Sequence, residues 1–144
     1  TQAVGEVSEE AKKLIQVTKE SFFEGIKFAK AGNHLFDISG AIGRYAEERG
    51  YGVVRDLCGH GIGTALHEAP EIPNYEVGRK GVRLRPGMTL AIEPMINIGT
   101  YEVDWLDDDW TVVTRDGSLS AHYENTILIT EGEPRILSLT CDNE

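Results

Sequence analysis

Three side chains in this sequence are of types that bind metal ions. The neighbours of each make a polar or charged side chain energetically costly at that position. Glu93 lies within the apolar run LAIEPMI, Glu124 lies near the start of the similar run YENTILI, and His60 lies between two glycines. A carboxylate among apolar residues needs solvent or a partner, because a buried unpaired charge is strongly unfavourable. Two opposed carboxylates repel each other, and a divalent ion between them converts that repulsion into binding. The three residues are therefore a candidate metal site.

Each residue also has an ordinary explanation. A glutamate in a strand is commonly the polar member of an alternating pattern, and a single histidine is commonly a surface or core residue. Taken singly, the ordinary explanation is favoured at all three positions. Taken together, two carboxylates on neighbouring apolar strands and one histidine in a glycine-rich segment are consistent with half of a metal site.

Other short catalytic and binding motifs are excluded. His67 and Glu68 do not begin an HExxH motif, because position 71 is Glu. The glycine run CGHGIG over 58–63 matches neither the dinucleotide-binding nor the P-loop pattern. Ser118 and Ser120 are not in a GxSxG elbow. The sequence therefore gives no support to nucleophilic catalysis.

Composition predicts one domain and excludes two classes of partner. The chain has 144 residues, 40% of them hydrophobic, and its net charge of −10 repels phosphate backbones and anionic lipid. We therefore expect no direct nucleic-acid binding and no membrane association. The amino end lacks a secretory pattern, and Cys58 and Cys141 have no CxxC spacing. Both features favour reduced thiols in a cytoplasmic protein.

The apolar patterning predicts helices first and strands afterwards. Ser8 is a candidate cap for a helix that ends before Gly32, and Asp37 for a second helix that ends at Gly50. The segment from Glu68 to Gly81 resembles an irregular loop. Strands are predicted over Gly52–Asp56, Met88–Ile96, Tyr101–Leu106, Trp110–Thr114, Ala121–Thr130 and Arg135–Leu139, and an acidic hairpin loop over Asp104–Asp109. This order indicates an α+β fold, an antiparallel sheet backed by helices.

Three consecutive segments carry a resemblance to a known family. The sequences CGHGIGTALHEAPEIPNY, LRPGMTLAIEPMINIG and WTVVTRDGSLSAHYENTILIT are similar to the signatures of type I methionine aminopeptidases. The first two also resemble the wider pita-bread superfamily, which includes Xaa-Pro peptidases, whereas the third favours the methionine branch. The similarity extends from about Val4 to Leu139.

The resemblance implies a fold, a site and an activity. The fold is the carboxy-terminal part of a pita-bread catalytic domain, with residues 1–144 as a single domain and a curved antiparallel sheet backed by helices. The activity is removal of the initiator methionine from peptides and nascent proteins, using water activated by two divalent ions (Mn, Fe, Co or Zn). The implied metal ligands are His60, Glu93 and Glu124. Glu93 also serves as general base, His67 contacts the substrate near the scissile bond, and Leu66 and Trp110 line the methionine pocket.

The same resemblance predicts that the isolated chain is nearly inactive. The two aspartate ligands and a further active-site histidine of the family lie upstream of the segment that matches Thr1. We therefore expect weak metal binding, and an uncovered strand edge that favours oligomerisation or poor solubility. Two alternatives remain open: a non-catalytic module of the same fold that binds peptides or proteins, and an Xaa-Pro peptidase.

Overall fold

The computed structural model describes residues 1–139, in which two helices precede ten short strands. Cys141 lies outside the described residues. The elements are α1 (Glu9–Ile26), α2 (Leu35–Glu47), β1 (Gly52–Val53), β2 (Gly59–Gly61), β3 (Glu68–Ile72), β4 (Thr89–Ile92), β5 (Met95–Asn97), β6 (Val103–Trp105), β7 (Val112–Thr114), β8 (Ser120–His122), β9 (Asn125–Leu128) and β10 (Arg135–Ile136). This order confirms the predicted α+β class.

The two helices begin at different kinds of cap. The Ser8 hydroxyl accepts the Ala11 N–H at 3.1 Å, which confirms the first predicted cap. The second prediction is wrong, because the residue that caps α2 is His34 and not Asp37. Asp37 lies three residues further along, in the first turn of the helix, and its carboxylate accepts the His34 N–H at 2.8 Å. Asp37 therefore closes a capping box from within the first turn, where its charge is also favourable.

The helix ends were predicted too late. Helix α1 ends at Ile26, and turns rather than helix lead on to Gly32, where the Asn33 amide donates to the Phe28 carbonyl at 3.0 Å. Helix α2 ends at Glu47, three residues before Gly50. Short backbone bonds tighten both ends, for example from the Phe28 N–H to the Gly25 carbonyl at 3.0 Å.

The strands form three antiparallel sheets. A five-stranded sheet has the order β10-β9-β4-β2-β3, a three-stranded sheet has the order β1-β5-β8, and β6 and β7 form a two-stranded hairpin. Within the described residues, β8 is therefore an edge strand of the three-stranded sheet. The predicted acidic loop is wrong at one end, because Asp104 lies within β6 while Asp107 to Asp109 lie outside the strands.

Two of the predicted strands are each broken in two, and the breaks carry the glutamates. The run Met88–Ile96 divides into β4 and β5, and the run Ala121–Thr130 divides into β8 and β9. In each case the chain leaves one sheet and enters the other, at Glu93–Pro94 and at Tyr123–Glu124. The first break includes Pro94, which has no backbone N–H to donate to the hydrogen bonds between strands. The sequence prediction of two continuous strands is therefore wrong at the two positions that matter most for the site.

The segment predicted as a loop contains a strand. Residues Glu68–Ile72 form β3, which pairs with β2 despite Pro70. The pairing shifts register between His60 and Gly61, and β3 is the outermost strand of its sheet. Proline is tolerated on such an edge because one side of the strand needs no ladder partner.

The helices cover both larger sheets. In one apolar cluster α1 and α2 pack against β3, β4 and β9, and in a second they pack against β1, β5 and β8. Among residues 1–139, neither helix is both long and apolar enough to cross a bilayer. The larger cluster contains Phe22, Ile26, Ala29, Leu35, Ile38, Ile42, Ile72, Leu84, Leu90, Ile92, Ile127 and Ile129.

The turn before β8 gives a pH-dependent prediction. Hydrogen bonds from Ser118, followed by the backbone N–H of Thr100, lower the pKa of Asp116 to about 2. Because the folded-state pKa is depressed, its stabilising contribution is complete above the unfolded value of about 3.9 and is lost as pH falls towards 2. We expect an NMR titration of the Asp116 carboxyl to show a midpoint near 2. A midpoint at the unfolded value would contradict these hydrogen bonds.

Candidate metal centre

The two sheet crossings run side by side and bring the glutamates together. Ile92 pairs with Asn125 in the larger sheet, and Met95 pairs with His122 in the smaller one. Between these pairs the Tyr123 N–H donates to the Pro94 carbonyl at 3.2 Å. Glu93 and Glu124 therefore lie in the short stretch where neither sheet continues, on adjacent antiparallel segments.

His60 completes the cluster from β2, the strand beside β4 in the larger sheet. One ligand atom each from His60, Glu93 and Glu124 lie within 4.8 Å of one another. The structure thus brings together the three residues that the sequence singled out as metal ligands. Imidazole nitrogen and carboxylate oxygen together suit Mn, Fe, Co or Zn.

The hydrogen bonding of His60 is compatible with metal binding through Nε2. Its Nδ1 lies 2.8 Å from the Gly61 carbonyl oxygen, which can only accept, so Nδ1 carries a proton. In the neutral ring Nε2 then has a free lone pair, and it faces Glu93 Oε1 at 3.3 Å. Two electron-rich atoms at this distance need a second proton or a cation between them. A backbone carbonyl on one ring nitrogen commonly prepares the other for a metal.

Glu93 is held firmly at its backbone. The Asn74 amide donates to the Glu93 carbonyl at 3.2 Å, and Asn74 is itself buried. The side chains of His60 and Glu93 are only 12% and 15% exposed. A carboxylate this enclosed requires a compensating partner, which supports a cation at the site.

Glu124 is more exposed but lies between two anchored residues. Tyr123 packs edge-on against Phe22 of α1, with ring centroids 5.2 Å apart. The Asn125 side chain accepts the Ser138 hydroxyl at 2.9 Å. The Glu124 side chain is 43% exposed, so it lies on the solvent-facing side of the cluster.

His67 lies beside His60 at the mouth of the site. The two ring centroids are 4.3 Å apart, and His67 is exposed. Its loop is closed by Glu68, whose carboxylate accepts the Thr64 hydroxyl at 2.6 Å and the Ala65 N–H at 2.7 Å. These bonds, the Thr64 hydroxyl first, lower the pKa of Glu68. Glu68 thus fixes the loop that presents His67.

A cavity of about 580 Å³ opens beside the two imidazoles. Its wall includes Cys58, a free thiol whose pKa is raised by burial and then by the charges of Glu71 and Glu93. The thiol therefore stays protonated, which disfavours it as a metal ligand.

The structure leaves Leu66 and Trp110, the residues predicted to line the methionine pocket, largely exposed to solvent. Leu66 lies in the loop before His67 and is exposed. Trp110 follows the turn between β6 and β7, and 86% of it is exposed. Both are large apolar side chains open to solvent, and their place in a methionine pocket stays a prediction.

One neighbour of the cluster was not predicted. His122 Nε2 lies 3.5 Å from Glu93 Oε2 and 3.6 Å from Glu124 Oε2. A signal was present in the sequence, because residues two apart on an extended segment face the same side, and His122 precedes Glu124 by two. Asn74, which fixes the Glu93 backbone, lies in the segment that was read as a loop, and no sequence signal marks it.

Comparison with known proteins agrees with this geometry. The chain is 60% identical over 139 residues to a methionine aminopeptidase of Clostridium acetobutylicum, covering 96% of this chain and 56% of the relative. It matches the crystal structure of a methionine aminopeptidase from Thermotoga maritima with a TM-score of 0.91 and 50% identity, over 95% of this chain and 55% of that one. The chain thus spans about half the length of these relatives.

A more distant structure shares the fold alone. An X-Pro aminopeptidase from Thermotoga maritima superimposes with a TM-score of 0.70 at 24% identity, over 96% of this chain and 34% of that one. The predicted pita-bread fold is confirmed by these matches. The family model described as metallopeptidase family M24 matches residues 1–131. The chain belongs to metallopeptidase family M24.

Proposed function

We propose that this chain is part of a cytoplasmic metalloaminopeptidase that removes the initiator methionine from peptides and nascent proteins. The observation that carries the proposal is the convergence of His60, Glu93 and Glu124, with ligand atoms within 4.8 Å. The similarity to methionine aminopeptidases over nearly the whole chain supports the choice of substrate. In this proposal residues 1–144 form a single domain, the carboxy-terminal portion of the catalytic domain.

The donors of the cluster would hold two divalent ions. His60 Nε2 and the carboxylates of Glu93 and Glu124 would be the ligands. The metal is Mn, Fe, Co or Zn, for which this donor set is suitable. When bound, such ions lower the pKa of water enough to supply hydroxide near neutral pH.

The remaining roles belong to side chains around the cluster. Glu93 accepts the proton of the attacking water on a carboxylate oxygen, for which its low exposure is favourable. His67, exposed beside His60, donates to the substrate carbonyl and stabilises the charge that develops there. Leu66 and Trp110 contribute apolar surface for the unbranched methionine side chain.

A binding and cleavage experiment on the whole 144-residue chain tests the proposal. Mn²⁺ is titrated by calorimetry, and release of methionine from Met-Ala-Ser is followed by mass spectrometry, with Ala-Pro-Ser as the competing substrate. We expect weak Mn²⁺ binding, and methionine release only just above the metal-free background, because three ligand side chains converge here.

Each other outcome contradicts part of the proposal. Rapid turnover would show that the ligand set of the chain is larger than three residues. Absence of Mn²⁺ binding would remove the metal centre and favour a non-catalytic peptide-binding module. Preferential cleavage of Ala-Pro-Ser would favour an Xaa-Pro peptidase.

A further inference from the structure

We propose that His122 is a positioning residue that holds the carboxylates of Glu93 and Glu124 in place for metal binding. The inference rests on the proposed metal centre and adds a residue that does not itself bind the ion. Its Nε2 is nearly equidistant from the two carboxylates, 3.5 Å from Glu93 Oε2 and 3.6 Å from Glu124 Oε2.

The position of His122 is fixed by the smaller sheet. It ends β8, where it pairs with Met95 of β5, two residues after Glu93. Its ring is 42% exposed, but Nε2 is buried and has no hydrogen-bond partner within the described residues. A buried polar atom of this kind is costly unless a nearby group pairs with it. The two carboxylates are the acceptors that lie in reach.

The chemistry of the three groups assigns the donor. An ionised carboxylate only accepts hydrogen bonds, whereas an imidazole nitrogen that carries hydrogen donates. Both distances exceed the usual 2.7–3.2 Å, roughly, of such a bond, so a shift of a few tenths of an ångström brings the N–H onto either carboxylate. A donor at this point reduces the repulsion between the glutamates before any cation arrives.

Glu93 divides its two oxygens between two histidines. Oε1 faces His60 Nε2 at 3.3 Å, and Oε2 faces His122 Nε2 at 3.5 Å. If His122 holds Oε2, the carboxylate plane is fixed and Oε1 stays directed towards the lone pair of His60. Groups that orient ligands in this way are commonly worth about 10–100-fold in metal affinity.

The first test is a pair of substitutions that separates a donor from a ligand. His122→Gln keeps an N–H donor on a side chain of similar reach but is a poor metal ligand, whereas His122→Ala removes both functions. We expect His122→Ala to weaken Mn²⁺ binding by about 10–100-fold and His122→Gln to retain most of the affinity. His34→Gln, at the cap of α2, is the control and should bind as the parent chain does.

The outcomes that overturn the proposal are distinct. An equal loss in both His122 variants would make the histidine a metal ligand, and unchanged affinity in His122→Ala would remove its role. Circular dichroism and urea unfolding of each variant identify any loss that comes from misfolding.

The second test needs no metal, so it remains decisive if the proposed function fails. Long-range ¹H–¹⁵N spectra of the histidine rings in the metal-free chain report which ring nitrogen carries hydrogen. We expect a protonated Nε2 at His122. A bare Nε2, with hydrogen on Nδ1 alone, would overturn the positioning role whether or not the chain binds Mn²⁺.

Discussion

Replacement of Glu93 by alanine is expected to abolish measurable Mn²⁺ binding. Glu93 is the one member of the cluster that faces both His60, at 3.3 Å, and His122, at 3.5 Å. Removal of a group that only orients ligands commonly lowers metal affinity by about 10–100-fold. We expect removal of a ligand itself to lower Mn²⁺ affinity by more than about 100-fold. Calorimetric titration of the parent and variant chains measures the difference.

The matched control is Glu71→Ala. Glu71 is an exposed carboxylate on β3, opposite His60 of β2 in the backbone register. It does not belong to the cluster of ligand atoms. Its removal should leave Mn²⁺ affinity unchanged. A ligand that binds only the folded state also raises the melting temperature. Added Mn²⁺ should therefore stabilise the parent and Glu71→Ala but not Glu93→Ala, and an equal shift in all three would contradict the assignment.

Gly61→Ala should destabilise the fold and the site together. A Cβ at Gly61 would meet the Ala69 carbonyl group at less than 3.0 Å and the Glu68 carbonyl oxygen at 3.1 Å. These are backbone atoms of the paired strand and cannot rotate away, so we expect a loss near the upper end of overpacking, about 3 kcal/mol. Relief of this contact requires β2 to shift, and the shift also moves His60. Mn²⁺ affinity should therefore fall together with stability.

Urea unfolding measures the change, with Gly132→Ala as its control. Nothing lies within 4 Å of a Cβ built at Gly132, and its φ is not positive. That substitution should change the free energy of unfolding by less than about 0.5 kcal/mol. A Gly61→Ala chain as stable as the control would show that β2 and β3 separate at low cost.

The sequence singled out the three candidate metal ligands because what makes each position unusual is visible in its immediate neighbours. A histidine between glycines and two carboxylates in apolar runs are visible without a fold, and the structure brings His60, Glu93 and Glu124 together. The α+β class followed from helix periodicity ahead of strand candidates. The roles of Leu66 and Trp110 came from resemblance alone and remain predictions.

The errors arose where tertiary contacts override local pattern. The prolines at 70 and 73 and the glycines at 78 and 81 predicted a loop over Glu68–Gly81, but β3 tolerates Pro70 because it lies at a sheet edge. The apolar runs around Glu93 and Glu124 gave no sign that each divides between two sheets. The spacing of His122 from Glu124 was visible in the sequence, but its closeness to Glu93 depends on the register of β8 with β5, which no single segment encodes.

The two crossings between sheets have a mechanical consequence for the centre. Glu93 directly follows β4 and Glu124 directly precedes β9, and these strands are paired at Ile92 and Asn125. When one sheet tilts against the other, both carboxylates therefore travel with the same pair of strands. Their spacing is thus set by the pairing of β4 with β9 and not by the angle between the two sheets.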